Sequence, residues 1–164
     1  MRFIATFFAM GLLMGCSDTG DASSTRSITE AEATSRVEAL IHGTVEILKT
    51  HPTLQLVPYS ATPTPCAFSN EGIPERYTIG RAYWLHKMPS EGLVDTAQQV
   101  VSSWRHDGHA ITSSGGFDVG KPGVSATTAD GYHLSLAWAE GDVLYLAATS
   151  PCLWPDGKAP NPAG

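Results

Sequence analysis

Positive charge is scarce in this chain. Its 164 residues hold ten Lys and Arg against sixteen Asp and Glu, and the cations are scattered singly. A nucleic-acid binder needs Lys and Arg gathered on one face, and a segment drawn to an anionic bilayer needs a polybasic run. Neither is present, so no nucleic-acid partner is expected. Long apolar runs are missing too. The longest, from Phe3 to Met14, is about twelve residues, well short of the roughly twenty that span a bilayer. No G-x-S-x-G elbow or S-x-x-K motif accompanies the many serines, and no C-x-x-C pair suggests a zinc site. The glycines of "GGFDVGKPG" have no helix starting behind them, so they do not cradle a phosphate. No internal repeat is visible. The chain gives no sign of a cofactor, a metal or a catalytic residue.

What is present begins with a junction. Arg2 precedes the short apolar stretch, and "LLMGCSDTG" then passes abruptly from apolar to small polar residues at Cys16. A basic start, an apolar middle and a small residue at the cut describe an export signal. Leu13-Met14-Gly15-Cys16 resembles the lipobox of bacterial lipoproteins, in which the cysteine is acylated and becomes the new N-terminus. Met14 is a less usual occupant of its position. The resemblance implies a signal peptide over residues 1–15. Residues 16–26 follow as a lipidated cysteine and a flexible tether, since "SDTGDASSTR" has no large apolar residue with which to order itself. Two acyl chains hold firmly where one binds only reversibly. The partner expected for this end is therefore the membrane, reached through lipid.

Loss of Arg2 with the signal leaves nine cations against sixteen anions, a mature charge of −7. Three cysteines would be an odd number for an exported protein, but an acylated Cys16 leaves Cys66 and Cys152 as an even pair. An oxidising compartment favours their disulfide. A metal site is the rival reading, and two lone cysteines without a nearby His argue for it only weakly.

The remaining pattern predicts an α+β domain over residues 27–152, an antiparallel sheet with two helices packed on one face. Residues 27–50 read as a helix, with Ser27 and Glu30 at capping-box spacing and Ala33, Val37, Leu40, Ile41 and Leu48 on one face. Glu32 and Arg36 stand at i, i+4. Leu54–Tyr59 suits a short edge strand, and Arg76–Leu85 a longer one. A second helix runs from about Glu91 to Arg105, with Ser90 as N-cap, Gly108 as terminator and a stripe of Leu93, Ala97, Val100, Val101 and Trp104. A short strand near His109–Ser113 comes next. The stretch 125–152 reads as three strands. Asp130-Gly131 marks a two-residue hairpin and Glu140-Gly141-Asp142 a three-residue one, the latter placing Trp138 opposite Leu144 and Leu136 opposite Leu146. Residues 153–164 are proline-rich and expected to form a flexible tail.

The lipobox, the Ser/Thr/Asp tether, the helix ending in Trp104, the "ADGYHLSL" hairpin and the closing "SPCLWP" together look like small lipoproteins of actinobacteria. That likeness implies attachment to the extracytoplasmic face of the cell membrane and carries no activity with it.

Three candidate sites remain. His106-Asp107-Gly108-His109 holds metal-competent side chains, but the glycine turn at a helix end works against a shared ion. Trp104 and Trp138 fall on core faces, whereas Tyr83, Trp84, Tyr145 and Trp154 are free to pack or to bind. His133 and Ser135 share the non-core face of a strand, and with Tyr145 they form the expected binding face. The expected function is a non-catalytic interaction with an envelope protein, glycan or small ligand. The alternative is an envelope hydrolase whose site carries no recognised motif.

Overall fold

The computed structural model describes residues 28–66 and 76–157. The expected lipobox with Cys16 and the expected tether lie outside them. Helix α1 spans Glu30–Glu46. The strands are β1 (Thr53–Leu56), β2 (Thr64–Pro65), β3 (Tyr77–Thr78), β4 (Gly80–His86), β5 (Ala110–Gly115), β6 (Gly123–Thr127), β7 (His133–Ala139) and β8 (Val143–Thr149), and helix α2 (Leu93–His106) stands between β4 and β5. Six of the strands make one antiparallel sheet in the order β1-β4-β8-β7-β6-β5, while β2 and β3 pair separately. The domain is α+β, as expected.

Alternation sets the sheet's two faces. Val124 and Ala126, Leu134 and Leu136, and Leu144, Leu146 and Ala148 are buried, while their strand neighbours are not. Leu134 pairs with Ala148, Leu136 with Leu146 and Trp138 with Leu144, the predicted register. These side chains meet Val37, Leu40 and Ile41 of α1 and Ala97, Val100 and Trp104 of α2 in a single core. Both helices therefore cover the same face. Leu48 is buried as its spacing implied, although α1 has ended by then. Of the α2 stripe, Val101 is only half-buried.

Several local expectations are corrected. The capping box of α1 is Thr29 with Glu32 rather than the expected pair with Glu30, whose Ser27 lies outside the described residues. Thr29 Oγ1 accepts the Glu32 N–H at 3.2 Å, and Glu32 Oε2 accepts the Thr29 N–H at 2.9 Å. Hydrophobic packing chooses between the two registers. With Thr29 as cap, Ile28 lies one residue before it and packs on the cluster of Ala33, Ile79 and Leu153, Ala33 being four residues into the helix. Ser90 does not cap α2. It opens a single 3-10 turn, Ser90–Gly92, and Gly92 stands at the N-cap without a side-chain bond. Gly108 does end that helix, in the left-handed conformation with φ +79°.

The strand expected over Arg76–Leu85 is divided at Ile79, whose N–H donates to Ser150 Oγ at 2.9 Å and whose carbonyl accepts the Ser150 N–H at 2.8 Å. The β6–β7 hairpin closes through Ala129-Asp130-Gly131, one residue more than predicted. Thr128 donates to the Tyr132 carbonyl and Gly131 adopts φ +84°. A two-residue loop would slip the register by one and set Val124 and Ala126 opposite outward-facing residues of β7. Arg36 reaches across to Asp130 at 3.1 Å.

Cys66 and Cys152 form the disulfide, with Cα atoms 6.3 Å apart. It ties the segment carrying β2 to the chain just after β8. Leu153 beyond it is buried and bridges to Tyr77, so the first residues of the expected tail belong to the folded domain. Residues 158–164 lie outside the described chain. Among the described residues no helix is long and apolar enough to cross a membrane.

Candidate functional site

The face of the sheet turned away from the helices is covered by no described element. Its in-register rows follow from the strand pairings. One row is Ser113, Ser125, Ser135, Ala147 and Ala82. The next is Gly115, Gly123, Ala137, Tyr145, Trp84 and Gln55. Glycine and alanine leave a shallow depression of about 420 Å³ over β5, β6 and β7, bordered by Ser113, Ser125, Ser135 and Lys121. Trp84 and Tyr145 stand beside it as an edge-to-face pair, ring centroids 5.9 Å apart at 78°. Such pairs are favoured by the ring quadrupoles. The result is a hydroxyl row next to an aromatic step.

The three residues of the expected binding face therefore share one surface. Ser135 and Tyr145 are half-buried and His133 is exposed. His133 Nδ1 is hydrogen-bonded to Thr127 Oγ1 at 3.2 Å. Trp84, unassigned by sequence, is the fourth member. Strand alternation alone could not identify it, because its neighbour Tyr145 lies 61 positions away and is reached only through the β4–β8 pairing.

The His106-Asp107-Gly108-His109 cluster does not gather. His106 and Asp107 are exposed, and Asp107 accepts a hydrogen bond from Ser103 at 3.3 Å. Asp107 and His109 border a crevice of about 240 Å³ between the helices, with Arg36, Gly43 and Trp104, whereas His106 borders a separate hollow with Asp95 and Ser102. Among the described residues no three His, Cys, Asp or Glu side chains converge as a metal site would need.

A second polar cluster joins α1 to β4. Tyr83 donates its hydroxyl to Glu38 at 3.0 Å, Arg81 lies 3.3 Å from the same carboxylate, and His42 lies 3.8 Å from it. Burial, then the hydrogen bond to Glu38 and its charge, pushes the Tyr83 phenol above its ordinary value. The phenol is therefore a neutral donor that fixes Glu38, and the cluster reads as a clamp between helix and sheet. Tyr83 thus packs, whereas Trp138 sits at the core's rim with its indole N–H on Asp142 and Lys121 above its ring.

What the geometry defines is a small two-layer α+β domain stapled by one disulfide, with helices on one side of the sheet and an open face on the other. No protein-family model and no curated protein sequence matches the chain. The crystal structure of a mycobacterial protein assigned as a lipoprotein, LppA of Mycobacterium tuberculosis, has a similar fold. Its TM-score is 0.51 at 14% identity, over 84% of this chain and 85% of that one. At that identity the likeness is one of fold.

Proposed function

We propose that this protein is a lipoprotein of the bacterial cell envelope, anchored through Cys16 at the extracytoplasmic face of the membrane, and that it binds an envelope saccharide through its open sheet face. The lipobox supports the anchor, and the fold shared with an assigned lipoprotein agrees with it. The observation that carries the binding role is the juxtaposition of the Trp84–Tyr145 pair with the Ser113, Ser125 and Ser135 row. A sugar ring presents an apolar C–H face and a rim of hydroxyls. Aromatic rings stack on the former, and serine hydroxyls both donate to and accept from the latter. His133 extends the polar rim at the row's next level.

The experiment is co-sedimentation of the purified mature chain with isolated cell-wall polysaccharide, compared with capture of membrane proteins from the same cells. Tyr145→Ala combined with Ser135→Ala is expected to weaken polysaccharide binding at least tenfold while circular dichroism stays unchanged. Undiminished binding would refute the face. Turnover of the polysaccharide, abolished by a single Ser or His substitution, would overturn the non-catalytic reading.

A further inference from the structure

We infer that the end of the domain where β4 begins and β8 stops rests on the lipid surface itself, with Tyr59 and Trp154 at the headgroup boundary and Arg76 beside lipid phosphate. This deepens the anchor reading above and rests on it.

Chain geometry comes first. The described chain starts at Ile28, which packs with Ala33, Ile79 and Leu153 at this end of the sheet. Cys16 lies twelve residue steps earlier, and at about 3.5 Å per step those span at most about 40 Å. An acylated Cys16 therefore keeps this end within roughly one domain diameter of the bilayer, a high effective concentration for even a weak contact.

The second observation is a strained aromatic. Ser60 donates back to the Val57 carbonyl across Pro58-Tyr59, and Tyr59 takes φ +64° in this turn, a position that glycine fills without cost. A bulky residue is disfavoured there, because its Cβ crowds the following carbonyl oxygen. No packing offsets it, because the side chain is 91% exposed. A ring held out at such a cost makes its contacts outside the domain. The turn sits over the start of β4: Ser60 Oγ accepts the Ala82 N–H, and the Ser60 carbonyl lies against Gly80.

The third is the chemistry around it. Residues 57–65, "VPYSATPTP", carry no charge, so a mature chain that is net acidic brings a neutral edge to the membrane. Trp154 follows Leu153, which bridges to β3, and the Arg76 guanidinium lies 5.1 Å from the Trp154 ring centroid. Trp and Tyr favour the membrane–water interface, where one side of the ring is apolar and the other wet. Three carboxylates described at this end are engaged within the protein: Glu30 accepts the Tyr77 hydroxyl, Glu32 caps α1 and Asp130 binds Arg36.

The test couples the mature chain, made without lipid, through its Cys16 thiol to maleimide-headgroup vesicles of phosphatidylethanolamine and phosphatidylglycerol with brominated acyl chains. Bromine quenches tryptophan near the headgroup boundary. Wild-type emission is expected to fall relative to unbrominated vesicles, and Trp154→Phe is expected to remove at least half of that quenching. Tyr59→Gly relaxes the turn, so it is expected to leave the melting temperature equal or higher while reducing quenching about twofold. A purely structural role for Tyr59 would not separate the two readouts. Absence of quenching, or quenching unchanged by Trp154→Phe, would overturn the inference. Chemical coupling makes the outcome independent of acylation in the cell, which the intact mass of the native protein tests separately.

Discussion

Thr44→Val would separate one hydrogen bond from the packing around it. Thr44 is 5% exposed and Trp104 1% exposed, and the indole N–H of Trp104 donates to Thr44 Oγ1 at 3.0 Å. The same hydroxyl donates to the Leu40 carbonyl at 2.8 Å. This is a buried polar link between α1 and α2, beside the crevice between the helices. Valine keeps the shape but strands the indole N–H, and an unsatisfied buried donor costs about 1–3 kcal/mol. The added methyl returns up to about 0.8 kcal/mol by burial. The net expectation is a loss of about 1–2 kcal/mol. In urea unfolding followed by far-ultraviolet circular dichroism, that loss moves the midpoint down by about 1 M with the slope unchanged. The decisive comparison uses Trp104→Phe. That change removes the N–H and leaves a cavity, so it costs more by itself, but Thr44→Val on top of it strands nothing. The second substitution is then expected to be nearly neutral, giving a coupling of about 1–2 kcal/mol. An equal cost for Thr44→Val in both backgrounds would refute the reasoning.

Replacing Cys66 and Cys152 together by alanine removes a link between residues 86 positions apart, worth about 4–5 kcal/mol in the chain-entropy account. A fall in melting temperature of about 10–20 °C is expected by calorimetry, and an unchanged value would contradict it. Asp130 titrates below its ordinary value: burial works against ionisation, but hydrogen bonds from Thr128, Arg36 and its own backbone N–H outweigh it. A lowered carboxylate stabilises the fold above its unfolded value near 3.9, and that contribution is lost as pH falls through the folded-state value. With both Arg36 and Asp130 about half exposed, Asp130→Asn is expected to cost only about 0.5–1 kcal/mol at pH 7, and progressively less as the pH falls through the lowered folded-state value. A gap between wild type and variant that is constant with pH would count against the assignment.

The sequence was most informative where a pattern is local. Alternation in "YHLSLAWA" and "VLYLAA" determined both the register of β7 with β8 and the face that meets the helices, because a slip of one residue would expose every leucine. Cysteine arithmetic gave the disulfide. The apolar spacing of α1 identified its buried face, but two capping boxes overlap in "SITEAE", and the packing of Ile28 on Ala33, Ile79 and Leu153 favours the second. Other features depend on partners far away in the chain. The break at Ile79 needs Ser150, the reach of Arg36 needs Asp130, and the Trp84–Tyr145 pair needs β4 to lie beside β8. No window of sequence contains both members of any of these. Of the candidate face, His133, Ser135 and Tyr145 were legible by alternation, whereas the hydroxyl row they complete required the order of the whole sheet.

The proposed anchor at Cys16 is tested most directly by intact-mass spectrometry of the protein extracted with detergent from bacterial membranes. The expected species begins at Cys16 and carries the mass of a diacylglyceryl group in addition to the polypeptide, with the two remaining cysteines oxidised. Replacement of Cys16 by serine is expected to abolish that species. A membrane-bound mature chain with an unmodified Cys16, or one cleaved at another residue, would contradict the account.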